Sequence, residues 1–192
     1  MRHPAFVSLL AHPNTPNESI RRLAACAELV GPDLLRFHYI LEAIPGRVRV
    51  PLPAANAGRA DELWTHTCFE AFVGGPQSPG YLELNFSPSG QWGAYRFDSY
   101  RQGMLPASLD SPPRLTLRRD EERLELQAEV RLQGTAAAAG RSLRIALSAV
   151  VEDREGRLSY WALRHPSGRP DFHHPESFSL ALELRSNPLN SQ

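Results

Sequence analysis

Between Asp61 and Asp98 the chain repeats one pattern three times, and that pattern limits its folds more than any other feature. The run DELWTHTCFEAFVGG leads through PQSPG into YLELNFSPSGQWGAYRFDS. Leu82, Leu84 and Phe86 alternate with Tyr81, Glu83, Asn85 and Ser87, the period of a strand with one apolar face. Upstream, Phe69, Ala71 and Val73 share a face, with Trp64, His66, Cys68, Glu70 and Phe72 opposite. Downstream, Tyr95 and Phe97 oppose Trp92, Arg96 and Asp98. The Gly/Pro-rich 74–80 and Pro88-Ser89-Gly90 have the length and composition of hairpin turns. The pattern predicts a three-strand antiparallel meander.

With the apolar faces turned to a core, the opposite face collects Trp64, Trp92, His66, Glu70, Glu83, Asn85, Arg96 and Asp98. Flat rings beside carboxylate, amide and guanidinium groups suit a sugar: rings pack on its C–H faces and polar groups exchange hydrogen bonds with its hydroxyls. The same residues also make an ordinary solvated face with cross-strand Glu–Arg pairs, or a face that docks another protein. Periodicity leaves these readings open.

Three runs, LWTHTCFEAFV, YLELNFSPSGQWGAYRFDSYRQGM and PDFHHPESFSLAL, carry a resemblance. They resemble the bacterial DOMON-like proteins, which are similar to the family-nine carbohydrate-binding modules. Trp64, Cys68 to Phe72 and Asn85 to Gly90 match that pattern. The resemblance is densest over 61–104 and 165–182. It implies a single all-β domain over 1–192, an antiparallel β-sandwich of jelly-roll, DOMON-like type with about ten strands, which binds a ligand and catalyses nothing. His66-Thr67 stands where paired acids are common in the sugar-binding modules, a departure bearing on a sugar or calcium site. Other DOMON relatives hold haem through Met and His or Lys, so the fold alone does not name a ligand.

A chain of 192 residues fits one ordinary domain with a sizeable core. Its 21 basic and 21 acidic residues cancel, leaving no electrostatic footprint for nucleic acid. Every basic residue is arginine, which excludes Schiff-base, pyridoxal and phosphate-loop lysine chemistry. Two cysteines, Cys26 and Cys68, form no disulfide framework. The start lacks the apolar stretch of a signal peptide, and no run is apolar enough to span a membrane. The expectation is a cytoplasmic protein.

Along the chain, Ala5 to Ala11 reads as an edge strand. Residues 17–31 are two-sided: Asn17 caps a helix burying Ile20, Leu23, Ala24 and Ala27 and ending at Gly31, while Leu23, Ala25, Ala27 and Leu29 alternate as a strand. The resemblance favours the strand, paired with 34–43. Arg47 to Val50 is a short strand, and 99–113, with Tyr100, Arg101 and Met104, is a long excursion able to lip a pocket. Residues 115–117 and 124–132 make a hairpin, Gly134 to Gly140 a loop or helical turn, and strands follow near 143–151, 158–163 and 178–184. Regular spacing near ten residues indicates two packed sheets or a barrel.

The chemistry is sparse. His165, His173 and His174 crowd a proline-rich loop, and with His66 and Cys68 they are the candidate zinc ligands. Met104 with one of these histidines is the candidate haem pair. Glu70 and Glu83, on facing strands, have the arrangement of a hydrolytic carboxylate pair. Signatures of the common enzyme classes are absent. The expectation is a binding module for a carbohydrate or related polyhydroxylated molecule, without cofactor. Trp64 and Trp92 stack on the ligand, Glu70, Asn85 and Arg96 orient it, and the loop of His165, Asp171 and His173 closes one end. The alternative is a metal or haem protein built on His66, Cys68 and the late histidines.

Overall fold

The computed structural model describes residues 5–30, 33–132 and 142–183, and in them the alternation resolves into two antiparallel sheets. In chain order the strands are β1 (Val7–Ser8), β2 (Leu10–Ala11), β3 (Ile20–Leu29), β4 (Leu34–Ala43) and β5 (Val48–Arg49). The meander supplies β6 (Cys68–Gly74), β7 (Tyr81–Phe86) and β8 (Trp92–Phe97), and β9 (Leu105–Pro106) follows. The rest are β10 (Arg114–Arg119), β11 (Arg123–Arg131), β12 (Ser142–Asp153), β13 (Leu158–Ala162) and β14 (Leu180–Glu183). Ten of these are longer than two residues, in keeping with the strand count expected from spacing.

One sheet runs β1-β3-β4-β11-β10. The other runs β2-β13-β12-β6-β7-β8-β9, with β14 and β5 also paired to the long β12. Two short strands at the start of the described chain edge both sheets. Val7 pairs with Ala25 in the first and Ala11 with Trp161 in the second, and the buried Leu9 marks the crossing between them. The stretch that propensity reads as a helix is strand β3, paired along its length with β4. Its Leu23 and Ala25 join the core between the sheets, and that burial outweighs the weak local preference. Gly31, expected to end a helix, the loop or helical turn of Gly134 to Gly140, and Leu184 of the last strand lie outside the described residues.

Between the sheets, Phe37, Tyr39, Leu41, Leu126 and Ala128 meet Phe69, Ala71, Leu84, Phe86, Ile145 and Leu147. The sheet containing the meander is covered on its other face as well. There Phe72, Tyr81, Tyr95, Phe97, Val150, Ala162 and Phe172 form a second apolar cluster beneath the loops around 98–107 and 164–178. All seven residues of β6 are buried, so the face expected to lie open carries a roof.

That second cluster corrects the reading of β8. Phe86, in the core between the sheets, pairs with Trp92, and Glu83 pairs with Tyr95. Trp92 therefore turns toward the inter-sheet core, and Tyr95 and Phe97 share the outer face with Glu70 and Glu83. Arg96 and Asp98, in phase with Trp92, leave the carboxylate face too and contact each other at 3.5 Å. A one-residue error in register reverses every side chain of a strand, and aromatic residues on both faces of β8 hide the phase.

Candidate functional site

Glu70 and Glu83 lie at the bottom of a cavity of about 360 Å³ on the roofed face. Neighbouring strands hold them: β6 pairs with β7 so that Glu70 faces Asn85 and Phe72 faces Glu83. Both carboxyls are almost fully buried, at 3% and 5% exposure. Asn85 Nδ2 donates to Glu83 Oε1 at 2.8 Å, while Asn85 Oδ1 has no hydrogen-bond partner among the described residues. Tyr39, reaching across from β4, donates to the Glu70 carbonyl at 2.7 Å and fixes the backbone beneath its side chain.

Burial pushes the Glu70 carboxyl well above the usual carboxylate range, and the neighbouring charge of Glu83 pushes it further. Burial also raises Glu83, against the hydrogen bond from Asn85 and the charge of Arg101. Two carboxyls sharing a dry site cannot both ionise cheaply, so a proton is retained there.

Tyr160, Phe172, Phe97 and Val150 form apolar walls, and Trp64, Arg101, Met104 and Pro170 reach the cavity from the surrounding segments. Trp64 sits on a 3-10 turn, Leu63–Thr65, entered through a left-handed Glu62. Its ring meets Tyr95 edge-on at 5.6 Å, and the Tyr95 hydroxyl donates to Asp61 at 2.6 Å, which ties the turn to β8. Across from it, His173 packs edge-on against Phe72 and Phe97, each at 5.0 Å. Its Nδ1 lies 2.8 Å from the Tyr81 hydroxyl, which accepts from the Arg101 amide at 3.2 Å. The hydroxyl keeps its own proton to offer Nδ1, and the other ring nitrogen, Nε2, lies 3.7 Å from Glu83. Burial and then the Arg101 charge draw His173 down to about 4, so the ring is neutral near neutral pH.

Arg101 is held off the carboxylates by Asp171, whose Oδ1 accepts from its Nε and Nη2 at 3.2 and 2.8 Å. Tyr100 donates to the other Asp171 oxygen. Burial works against the Asp171 charge, but these donors outweigh it and hold the carboxyl below its ordinary range. Arg101 adopts a left-handed φ of 55° and Gly103 one of 67°. A Cβ at Gly103 would stand 2.1 Å from Asp98 Oδ2. Gly103→Ala is therefore expected to cost about 1–3 kcal/mol and loosen the Arg101 lip, read as a lower urea midpoint than wild type.

Four of the sequence-picked residues, Trp64, Glu70, Glu83 and His173, line this cavity, and Asn85 braces Glu83. Trp92, Arg96 and Asp98 are on the other face. His66 is elsewhere: its Nδ1 contacts Glu152 at 2.7 Å, a carboxylate that Arg49 also holds at 2.7 Å. His165 places Nε2 2.8 Å from the Leu10 carbonyl, and with Asp171 and His174 it lines a neighbouring cleft that shares Arg101 and Pro170 with the cavity. His174 caps a short turn by accepting from the Glu176 amide. Cys68 is buried, with Sγ 3.6 Å from the Phe86 carbonyl, and burial followed by Glu70 pushes its thiol up. The candidate zinc ligands are thus dispersed, and among the described residues no three His, Cys, Asp or Glu are grouped to hold a metal. Met104 lines the same cavity as His173, one of the histidines considered with it for haem. Tyr160 and Phe172 escaped sequence reading. Their alternation marked them as strand and loop residues, and nothing local says that the segments around 98–107 and 164–178 fold over one sheet face.

Solved structures share this architecture. A candidate carbohydrate-binding protein from Bacteroides uniformis superposes with a TM-score of 0.68 at 16% identity, over 94% of this chain and 86% of its own. A family-nine carbohydrate-binding module from Caldicellulosiruptor kristjanssonii, in complex with glucose, gives 0.52 at 11% identity, over 93% and 83%. In complex with cellotriose it gives 0.52 at 12%, over 93% and 88%. This chain shares its fold with these solved structures. No family model matches the sequence, and no curated protein does. At these identities the likeness is one of fold, and side-chain roles rest on the cavity itself.

Proposed function

We propose that this chain is a non-catalytic binding module whose cavity, under Trp64 and over Glu70 and Glu83, takes a carbohydrate or related polyhydroxylated small molecule. The observation that carries the reading is the cavity's composition: aromatic walls above a floor that holds two buried carboxyl groups. Its volume falls at the low end of the roughly 300–1,000 Å³ of small-molecule sites, suited to one or two sugar rings. The solved modules of the same fold bound to glucose and cellotriose support the same ligand class. Within this reading the chain is DOMON-like, on the motifs at Trp64, Cys68 to Phe72 and Asn85 to Gly90, and it resides in the cytoplasm, where its two free thiols stay reduced.

Trp64 is the cavity's one tryptophan, since Trp92 and Trp161 pack on the inter-sheet core. Saturable fluorescence quenching by a panel of mono- and oligosaccharides is the expected result. Trp64→Ala should weaken binding roughly 10- to 100-fold, a stacking contribution of about 1.5–3 kcal/mol, and Trp92→Phe should keep it. No quenching and no calorimetric heat across the panel would end the reading, and a Soret band in the purified protein would reassign the cavity to haem.

A further inference from the structure

The cavity's charges do not balance, and the imbalance points to a class of occupant. Glu70 carries no ion pair from its carboxyl among the described residues, and the hydroxyl nearest to it, Ser148 directly opposite on β12, is uncharged. The other groups around the pair are no substitute for a cation. Cys68 on the same strand is a buried thiol, Tyr95 from β8 is committed to Asp61, and the His173 ring is neutral. Arg101 reaches the same cavity with its guanidinium turned to Asp171. Behind the lining, the fully buried Asn85, directly across the strand pair from Glu70, gives its amide donor to Glu83, and its Oδ1 is a further acceptor without a partner among the described residues, so it brings Glu70 no relief. The floor thus offers acceptors in excess and lacks a positive charge.

We propose that the ligand of this cavity carries a primary ammonium group on a sugar-like ring, the nitrogen seated between Glu70 and Glu83 and the ring against Tyr160, Phe172 and Trp64. The inference rests on the binding-module reading and narrows its ligand to an amino sugar. An ammonium supplies three donors, enough for both carboxylates and a further acceptor, and lets both glutamates ionise. The ring's hydrophobic edge and the aromatic walls remain matched, and the same walls favour a cation over their faces. A neutral hexose also fits the walls but leaves one buried carboxylate without a counter-charge.

Calorimetric titration of the full chain with glucosamine, N-acetylglucosamine and glucose, at mildly acidic pH where the free amine is charged, tests this. Glucosamine is expected to bind about thirtyfold tighter than either neutral sugar, because charge-assisted hydrogen bonds are roughly twice as strong as neutral ones. In Glu70→Gln and in Glu83→Gln, whose folding is checked by their melting transitions, the ratio should fall to about threefold or less as the ion pair becomes a neutral hydrogen bond. If either variant fails to fold, the other and the wild-type ratio decide. Equal affinities for the three sugars would overturn the ammonium proposal and leave the module reading standing. A preference that survives in both variants would remove the carboxyl pair from the explanation. No response to any of the three would sink both.

Discussion

Phe69→Ala is expected to destabilise the fold by about 3–5 kcal/mol, the range for removing a fully buried aromatic side chain. Phe69 has no exposed surface and stacks on Tyr39 at 4.9 Å, with the ring planes 28° apart. It also pairs with Phe86 on one side and Ala149 on the other, so three strands of its sheet close around the ring. Tyr39 belongs to the opposite sheet and spends its hydroxyl on the Glu70 carbonyl. The substitution therefore leaves a void and also frees the ring that steadies the backbone under the cavity floor. Urea unfolding should show the loss, with a fall in melting temperature of roughly 6–20 °C for a domain of this size. Leu52→Ala, at a side chain 80% exposed, should change stability by about 0.5 kcal/mol or less. A loss under about 1 kcal/mol at Phe69 would mean that the sheets are not clamped through this ring.

The sandwich was legible in the sequence because each sheet has one face that must be apolar, and period two records that face directly. Leu35, Phe37, Tyr39 and Leu41 alternate cleanly, and they are the inward row of β4. The helix that Asn17 to Gly31 permits is overruled by partners far away in sequence, which no local window contains. The site was legible in part for the same reason. Glu70, Glu83 and Asn85 interrupt otherwise apolar strands, so a face with polar chemistry could be read from them. The face's roof could not. It is built from segments around 98–107 and 164–178, whose docking is a tertiary event, and once it is in place Tyr95 and Phe97 are buried too. The sequence reading turned these two aromatics toward the main core and so sent Trp92 to the wrong side.

Glu70→Gln is expected to stabilise the free protein at neutral and mildly alkaline pH and to flatten the pH dependence of its stability. Burial and the Glu83 charge raise the Glu70 carboxyl above its ordinary 4.5, so the folded chain holds a proton that the unfolded chain releases. A group raised in this way contributes stability at low pH, and that stability is lost as pH climbs from 4.5 through the folded value. His173 acts in the opposite sense: drawn from 6.5 to about 4, it resists protonation in the fold and weakens it as pH falls through that window. The two trends oppose each other below pH 6.5. Above it His173 is silent, and the buried thiols of Cys26 and Cys68 enter only from their ordinary 9.0 upward. Between those limits, of these opposing groups, the glutamate pair alone sets the slope, and stability should decline as pH rises. A neutral glutamine has no proton to lose, and its amide lies directly across the strand pair from Asn85 and the unpartnered Oδ1. The gain should be about 1–3 kcal/mol, the cost of burying a polar group without adequate partners. Urea unfolding of both proteins across that pH interval measures it, and parallel curves would show that Glu70 reaches solvent freely and is not the retained acid of the cavity floor.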